Sequence, residues 1–370
     1  MGHNKSRLNR PSNLNDRNFL QIFKMSKKSK KKFTILSLFS GAGGLDRGFE
    51  NSGRFVTKAC IEYEPVFAKT LEGNQVRGFM PDAAILNDSI RGLQPNQVKA
   101  AHFAGTSPIG IIGGPPCETF SVIGNRKGMD DLRGNLVYDF LRWVDALKPR
   151  FFLMENVPRL KTLDNGTVFD LIIKTAEKSG YTVSHSILKA SDYGAPTIRK
   201  RLFIIGVIGK TAFKFPSPTH SGVLDAFGLL PCITSSQALT GLPEPDYSNP
   251  GNPQGHIKVR HITAVAERFA MLLPGQRDNI RKRNRLHPDK PSPTLVAGNL
   301  MQIRSHIHPT EPRELTNRES ARLHGFPDDF IFAGNHAAMG KQIANSVPIP
   351  LAEALASELG KHLDQELKQP

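Results

Sequence analysis

The chain has 370 residues, 49 Lys and Arg against 33 Asp and Glu, and a formal net charge of +16. That is the balance of a polyanion binder, and the length supports a sizeable core and two domains. Cys60, Cys117 and Cys232 lie far apart with no Cys-x-x-Cys pair, which excludes a disulfide framework or a zinc ribbon and suits a reducing cytoplasm. No apolar run approaches transmembrane length and no secretory leader is visible.

The first 32 residues hold ten cations against the single acid Asp16, a net +9, in a background of Asn, Ser and Lys. Such a composition buries too little apolar surface to fold, so it predicts a disordered tail. Leu14, Phe19, Leu20, Ile22 and Phe23 make one short helix at most, and Met25 is an alternative initiator. The tail reads either as an arm on DNA or as a solubilising start.

An apolar strand from Phe33 then runs into Phe39-Ser-Gly-Ala-Gly-Gly-Leu45. Gly41, Gly43 and Gly44 allow a tight turn and the close approach of a ligand to amide groups at a helix start. The spacing is Gly-x-Gly-Gly, short of the full dinucleotide fingerprint. A second strand, Val56 to Ile61, ends at Glu62, about twenty residues past the glycines, where a carboxylate meets ribose hydroxyls in nucleotide-binding folds. Asp88, after Ile85 and Leu86, is the next such acid. Together they favour a cofactor that contains adenosine.

Ile109, Ile111 and Ile112 form a short buried strand leading into Gly113-Gly-Pro-Pro-Cys-Glu-Thr-Phe-Ser121. Cys117 therefore stands at the carboxyl end of the sheet, either a presented nucleophile or a small buried hydrophobe. Phe151-Phe-Leu-Met-Glu-Asn-Val-Pro158 is another apolar strand that closes on Glu155 and Asn156. An acid there is costly unless paired or used, and partial burial would raise its pKa toward general-acid work. In Thr197-Ile-Arg-Lys-Arg-Leu-Phe-Ile-Ile-Gly206 a strand puts Arg199 and Arg201 on one face. Alone, that segment reads equally as a solvated edge strand.

From Phe33 to about Gly209 strands and helices alternate, which predicts a mostly parallel sheet with helices on both faces. From Lys210 to about Arg304 the texture turns to Pro, Gly, Ser and His. Lys258, Arg260, Arg268, Arg277, Arg281, Lys282, Arg283, Arg285 and Lys290 lie here, and most of them are assigned to phosphates. A C-terminal helix over about Pro350 to Leu367, with Leu351, Leu355 and Leu359 at helical spacing, is expected to pack back on the first strand.

The order of these segments resembles the C5-cytosine DNA methyltransferases of bacterial restriction-modification systems. The resemblance rests on Phe39 to Gly44, Pro115 to Ser121, Glu155 to Val157, Arg199 to Arg201, His287 to Thr294, Ile307 to Pro309, Arg318 to Pro327 and Ala344 to Pro348. It spans Phe33 to about Leu355 and implies an α/β, Rossmann-like class I methyltransferase fold plus a smaller irregular target-recognition domain. The domains it implies are a catalytic one over 33–209 and 335–370 and a recognition one over 210–334.

It implies S-adenosylmethionine as cofactor, S-adenosylhomocysteine as product and no metal. The pocket would be lined by Phe39, Ser40, Gly41, Ala42, Gly43, Gly44, Leu45, Glu62, Tyr63, Asp88, Ser89, Pro115, Leu136, Asn345, Ser346 and Val347. Cys117, Glu155, Arg199 and Arg201 would be catalytic, with Cys117 adding to C6 of a flipped-out cytosine. The implied setting is a monomer on double-stranded DNA in a bacterial cytoplasm, off the membrane, with a cognate restriction endonuclease in the same system.

Three departures from the family pattern stand out. Glu118 replaces the usual Gln after the cysteine, Thr197 the Gln before the arginines, and Ala344 the Gly before Asn345. Among rivals, a transfer RNA methyltransferase shares the class, while a zinc deaminase fails because position 120 is Phe. An inactive DNA-binding relative predicts a damaged catalytic set, and the set is intact. If the tail touches DNA, deleting residues 1–32 should flatten the fall of log K with log salt, by about 0.9 in slope for each phosphate the tail neutralises. The modified sequence should stay the same, as read by methylation mapping across a salt series.

Overall fold

The computed structural model describes residues 32–116, 136–223, 228–247, 253–296 and 306–368. The tail with its candidate helix, Met25, Cys117 and Glu118 lie outside the described residues. Chain order begins β1 (Phe33–Leu38), α1 (Gly44–Asn51), β2 (Phe55–Ile61), α2 (Pro65–Gln75), β3 (Ala84–Leu86) and α3 (Pro95–His102). It continues through β4 (Gly110–Gly113), α4 (Leu136–Leu147), β5 (Phe151–Asn156), α5 (Thr167–Lys178), β6 (Tyr181–Lys189) and β7 (Lys200–Ile208). Short strand pairs follow, with α6 (Ser235–Leu239), α7 (Thr263–Ala270), α8 (Asn317–Leu323), α9 (His336–Asn345) and α10 (Ile349–Glu366).

The main sheet has the order β3-β2-β1-β4-β5-β7-β6. All its pairings are parallel except those of β7, which runs antiparallel to both β5 and β6. The expected α/β, Rossmann-like sheet is therefore present. The segment that could have been a solvated edge lies inside it, and β6 takes the edge.

The apolar runs are nearly unbroken because both faces are covered. On β5, Phe152 and Met154 pack with Phe140 and Trp143 of α4 and Ile172 of α5. The alternate residues Phe151 and Leu153 pack on the other face with Phe49 of α1 and with Leu351, Leu355 and Leu359 of α10. That second cluster includes Phe33 and Ile35 of β1, so the C-terminal helix shares a core with the first strand, and it packs chiefly on α1.

Phe326, Phe330 and Phe332, which fall in the region expected to form the recognition domain, form an aromatic cluster with Phe79. They share a core with Ala42, Cys60 and Leu71 at the β2–β3 side of the sheet. Aromatic bulk with no helical or strand period hides this destination from a one-dimensional reading.

Gly48 sits where α1 meets α10, and a Cβ there would overlap that of Ala352. Alanine gains about 1 kcal/mol of helix propensity over glycine, but overpacking at such a contact costs about 1–3 kcal/mol. The clash wins. Gly48→Ala should lower the unfolding free energy by up to about 2 kcal/mol in a denaturant titration.

Candidate active site

Strand order reverses between β1 and β4, and ligands of open α/β sheets bind at such a switch point, beyond the strands' carboxyl ends. A cavity of ≈ 400 Å³ lies there. The turn after β1 forms its floor. Phe39 has φ 56°, unusual for a residue with a side chain, and Gly41 and Gly43 have φ 59° and 77°. Gly43 donates its N–H to the Ser40 carbonyl (2.9 Å), closing the turn. Gly44 lets the start of α1 approach the segment after α9, because a Cβ there would meet the Val347 carbonyl at 2.6 Å.

Glu62, at the end of β2, is buried and locks the turn. Its carboxylate accepts N–H bonds from Gly41 (2.7 Å) and Glu64 (2.8 Å). Burial raises its pKa, and those two donors pull it back. Asn87 donates to the Glu62 and Tyr63 carbonyls, and Tyr63 stays exposed at the rim.

Most of the expected cofactor residues converge on this one cavity. Phe39, Ser40, Gly41, Ala42, Gly44 and Leu45 line it from the turn; Glu62, Tyr63, Asp88 and Ser89 from the second and third strands; and Leu136, Asn345, Ser346 and Val347 from α4 and α9. Two do not. Gly43 faces the other way, against Phe79 and Leu71, and serves the turn rather than a ligand. Pro115 is off the lining, its carbonyl accepting a bond from Asn156 (3.0 Å), while Pro116 takes its place. Ser37, Asp46, Glu64 and Lys341 also line the cavity and were not anticipated. Of these only Asp46 carries a sequence signal, as an acid two residues past the glycines.

Glu155 joins the same cavity from β5. Arg201 pairs with it, Nε to Oε1 at 2.8 Å, both side chains largely buried. Gly114 makes room, since a Cβ there would come within 2.8 Å of Glu155 Oε2. Burial raises the pKa of Glu155, opposed by the cations of Arg201 and then Arg199. Arg199 is buried and donates through Nη1 to the Leu295 carbonyl (3.1 Å), while its Nε and Nη2 have no partner among the described residues. Burial lowers its pKa to about 9, so it remains a cation at neutral pH.

The chain before Arg199 is braced by the residue-292 segment. Ile198 donates to the Ser292 carbonyl (2.8 Å) and Ser292 to that of Pro196 (2.9 Å). Thr197 is wholly buried in that bridge.

Several cations assigned to phosphates are structural instead. Arg285 is buried and donates to four carbonyls, those of Pro309, Phe269, Leu272 and Thr310. Arg283 is buried against Glu314 (3.3 Å), and Arg268 pairs with Asp278 (2.6 Å). Arg277, Arg281, Lys282 and Lys290 remain exposed.

The C-5 cytosine-specific DNA methylase family model matches residues 33–361. The chain belongs to that family. It is a DNA (cytosine-5)-methyltransferase. It is 33% identical over 345 residues to the Type II methyltransferase M1.HphI of Haemophilus parahaemolyticus, covering 89% of this chain and 87% of that protein. It is 34% identical over 334 residues to M.NgoFVII of Neisseria gonorrhoeae, covering 86% and 84%. Among solved structures, a prophage-encoded DNA modification methyltransferase (E. coli) superposes with a TM-score of 0.74 at 27% identity, over 90% of this chain and 100% of that one.

In this methylase the position of Glu155 depends on the missing side chain at 114. Gly114→Ala should push the carboxylate off Arg201 and cut turnover by about a hundredfold, a loss that a misplacement of one ångström can cause. Thermal melting should show the fold intact, and a steady-state methylation assay should show the reduced rate.

Proposed function

We propose that this methylase transfers a methyl group from S-adenosylmethionine to C5 of a cytosine flipped out of a specific duplex DNA sequence, through a covalent Cys117–C6 adduct. The single observation that carries the reading is the shared cavity. The Glu62-locked glycine turn and Glu155, which Arg201 holds from outside the lining, open onto the same space, next to Pro116, and Cys117 follows Pro116 in the sequence.

The pocket's chemistry fits such a cofactor. A carboxylate whose oxygens each hold one backbone N–H has lone pairs left for ribose hydroxyls, and the exposed Tyr63 ring offers a face to a purine. Apart from its chain neighbours, no atom of the described residues lies within 4 Å of where a Gly41 Cβ would stand, which leaves that side of the turn open. When bound, S-adenosylmethionine supplies a methyl group activated by a sulfonium and leaves as S-adenosylhomocysteine.

The rest falls to the chain's own residues. C5 of cytosine is too weak a nucleophile unaided, so Cys117 as thiolate adds to C6 and the displaced electron pair makes C5 an enamine carbon. Glu155 bonds N3 and the exocyclic amine and shares a proton there as charge builds, a role served by its raised pKa. Arg201 orients Glu155 and, with Arg199, presents cations to the O2 edge and the thiolate. After C5 is methylated, a base removes its proton, the C5–C6 double bond re-forms and the Cys117–C6 bond breaks. No metal is required. The base must leave the stack, at a few kcal/mol.

We further infer a monomer acting in a bacterial cytoplasm beside a cognate restriction endonuclease; the Type II methyltransferases among its relatives support this setting. None of the described helices is long and apolar enough to cross a membrane.

Cys117→Ser should abolish methyl transfer while leaving cofactor and DNA binding largely intact. A duplex with 5-fluorocytosine at the target should trap the wild-type chain in a denaturation-resistant complex, because fluorine blocks the final elimination. Mass spectrometry should place the adduct on Cys117. Absence of the adduct with cofactor present and the site supplied would overturn the mechanism.

A further inference from the structure

Asp46, in the first turn of α1, is the carboxyl group of this cavity with no assigned task. It lines the pocket, yet it is wholly buried, and among the described residues neither of its oxygens has a hydrogen-bond partner. Ser37 of β1 and the residue's own backbone N–H lie beside it, and Ser37 accepts a hydrogen bond from Ser40 (2.9 Å). The other acids of the lining are compensated differently. Glu155 has Arg201, Glu64 has Lys341 (3.4 Å), Glu62 holds two backbone amides and Asp88 takes the Ser89 N–H (2.6 Å). Among the described residues, the two cations that line the pocket, Lys341 and Arg91, are paired with Glu64 and Asp139. Among the described residues, Asp46 is thus the lining carboxyl group with neither a cation nor a formed hydrogen bond.

A buried carboxylate without a partner is expensive, and a site that keeps one needs a positive charge to meet it. We infer that Asp46 is the electrostatic selector of this pocket, favouring a cationic sulfonium ligand over its neutral thioether product. The inference rests on the cofactor proposed above. Donor and product share the same ammonium and carboxylate; they differ in charge only at sulfur. Direct contact is unnecessary, because in a low-dielectric floor the charge acts through space. The consequence is product release: once the sulfonium becomes a thioether, the attraction is gone and the pocket exchanges product for donor.

The site is poised to work this way. Burial pushes the Asp46 carboxyl up to about 7; Ser37 lowers it. Glu50 of α1 and Glu62 at the end of β2 face it and raise it further. The Cys60 thiol of β2 is held neutral, pushed up by burial and then by Asp46. The start of α1 adds the positive end of a helix dipole. A nearby cation therefore tips Asp46 toward its anion, and by linkage the anion binds that cation more tightly.

Calorimetry of S-adenosylmethionine and S-adenosylhomocysteine binding to the full chain, between about pH 6 and 8, tests this. In wild type the donor-to-product affinity ratio should rise about tenfold over that range, the equivalent of one pKa unit of coupling. Asp46→Asn should give a low, flat ratio. Glu62→Gln should weaken both ligands alike and keep the slope. Because the folded pKa of Asp46 is raised, wild type loses stability as pH rises from about 4 to 7, so ligand-free Asp46→Asn should melt higher than wild type at alkaline pH. A flat ratio in wild type, equal losses for both ligands in Asp46→Asn, or a slope that vanishes only in Glu62→Gln would each overturn the inference while leaving the cofactor reading intact. Failure of both ligands to bind wild type would remove that reading and the inference with it.

Discussion

The active site depends on a charge placed at the end of a strand and a reversed neighbour that brings its partner. Glu155 closes β5 at the carboxyl edge of the sheet, the edge that faces ligands. Were β7 parallel, its first residues would lie at the opposite edge. Because β7 is antiparallel, with Asn156 opposite Leu202 and Glu155 opposite Phe203, its beginning arrives beside the end of β5. Arg201 is then in reach of Glu155. The pair contributes little to stability, since desolvating two ions offsets most of their attraction. What it secures is the orientation of an acid, and the surrounding chain is shaped to that end. Gly114 yields space, and Asn156 fastens Pro115, one residue from the lining Pro116 and two from Cys117.

The same constraint explains why distant parts of the chain must return to the sheet. Arg199 is fixed through the Leu295 carbonyl, and the strand start through Ser292. Leu295 in turn packs with Ala321 and Phe326. The start of β7 and its arginines therefore sense the seating of residues almost a hundred positions downstream. Below them, Arg313 holds Glu319 through two bonds (2.9 and 2.8 Å), and Glu319 completes a capping box with Thr316 at the start of α8. Buried polar groups satisfied this completely give a segment one arrangement rather than several.

Much of this was legible in the chain. A glycine turn after an apolar strand, an acid about twenty residues on, and an acid closing a later strand are local patterns with local causes, and they meet in one cavity. The sheet's reversed strand was not legible, because Thr197 to Gly206 has the same apolar texture whichever way it runs. Gly43 and Pro115 show the limit of reading each motif residue as a ligand contact: both shape the backbone that others use. The basic residues between positions 210 and 304 show a second limit. Arg285 and Lys290 count equally in a charge sum, yet Arg285 is sealed beneath four carbonyls and Lys290 is exposed. Which arginine is structural depends on carbonyls brought from other segments, and no spacing rule contains that.

On the proposed reading, one chain must attract a polyanion and a cationic methyl donor to adjoining places. Exposed carboxylates at the cavity mouth would repel phosphates within about 8 Å, the screening length at physiological salt. The structure separates the two fields by depth. Outside, Arg277, Arg281, Lys282 and Lys290 stay exposed, and the rim acid Glu64 faces Lys341. Inside, Asp46, the lining acid with neither a cation nor a formed hydrogen bond among the described residues, is wholly buried. Coulomb energy grows as the dielectric falls, so one buried charge does for a small cation what several exposed ones could not, without weakening the grip on DNA. The cost is carried by the ligand-free protein, which holds Asp46 at the edge of ionisation. That cost favours an occupied pocket, and a pocket that prefers the charged donor resets itself after each turnover.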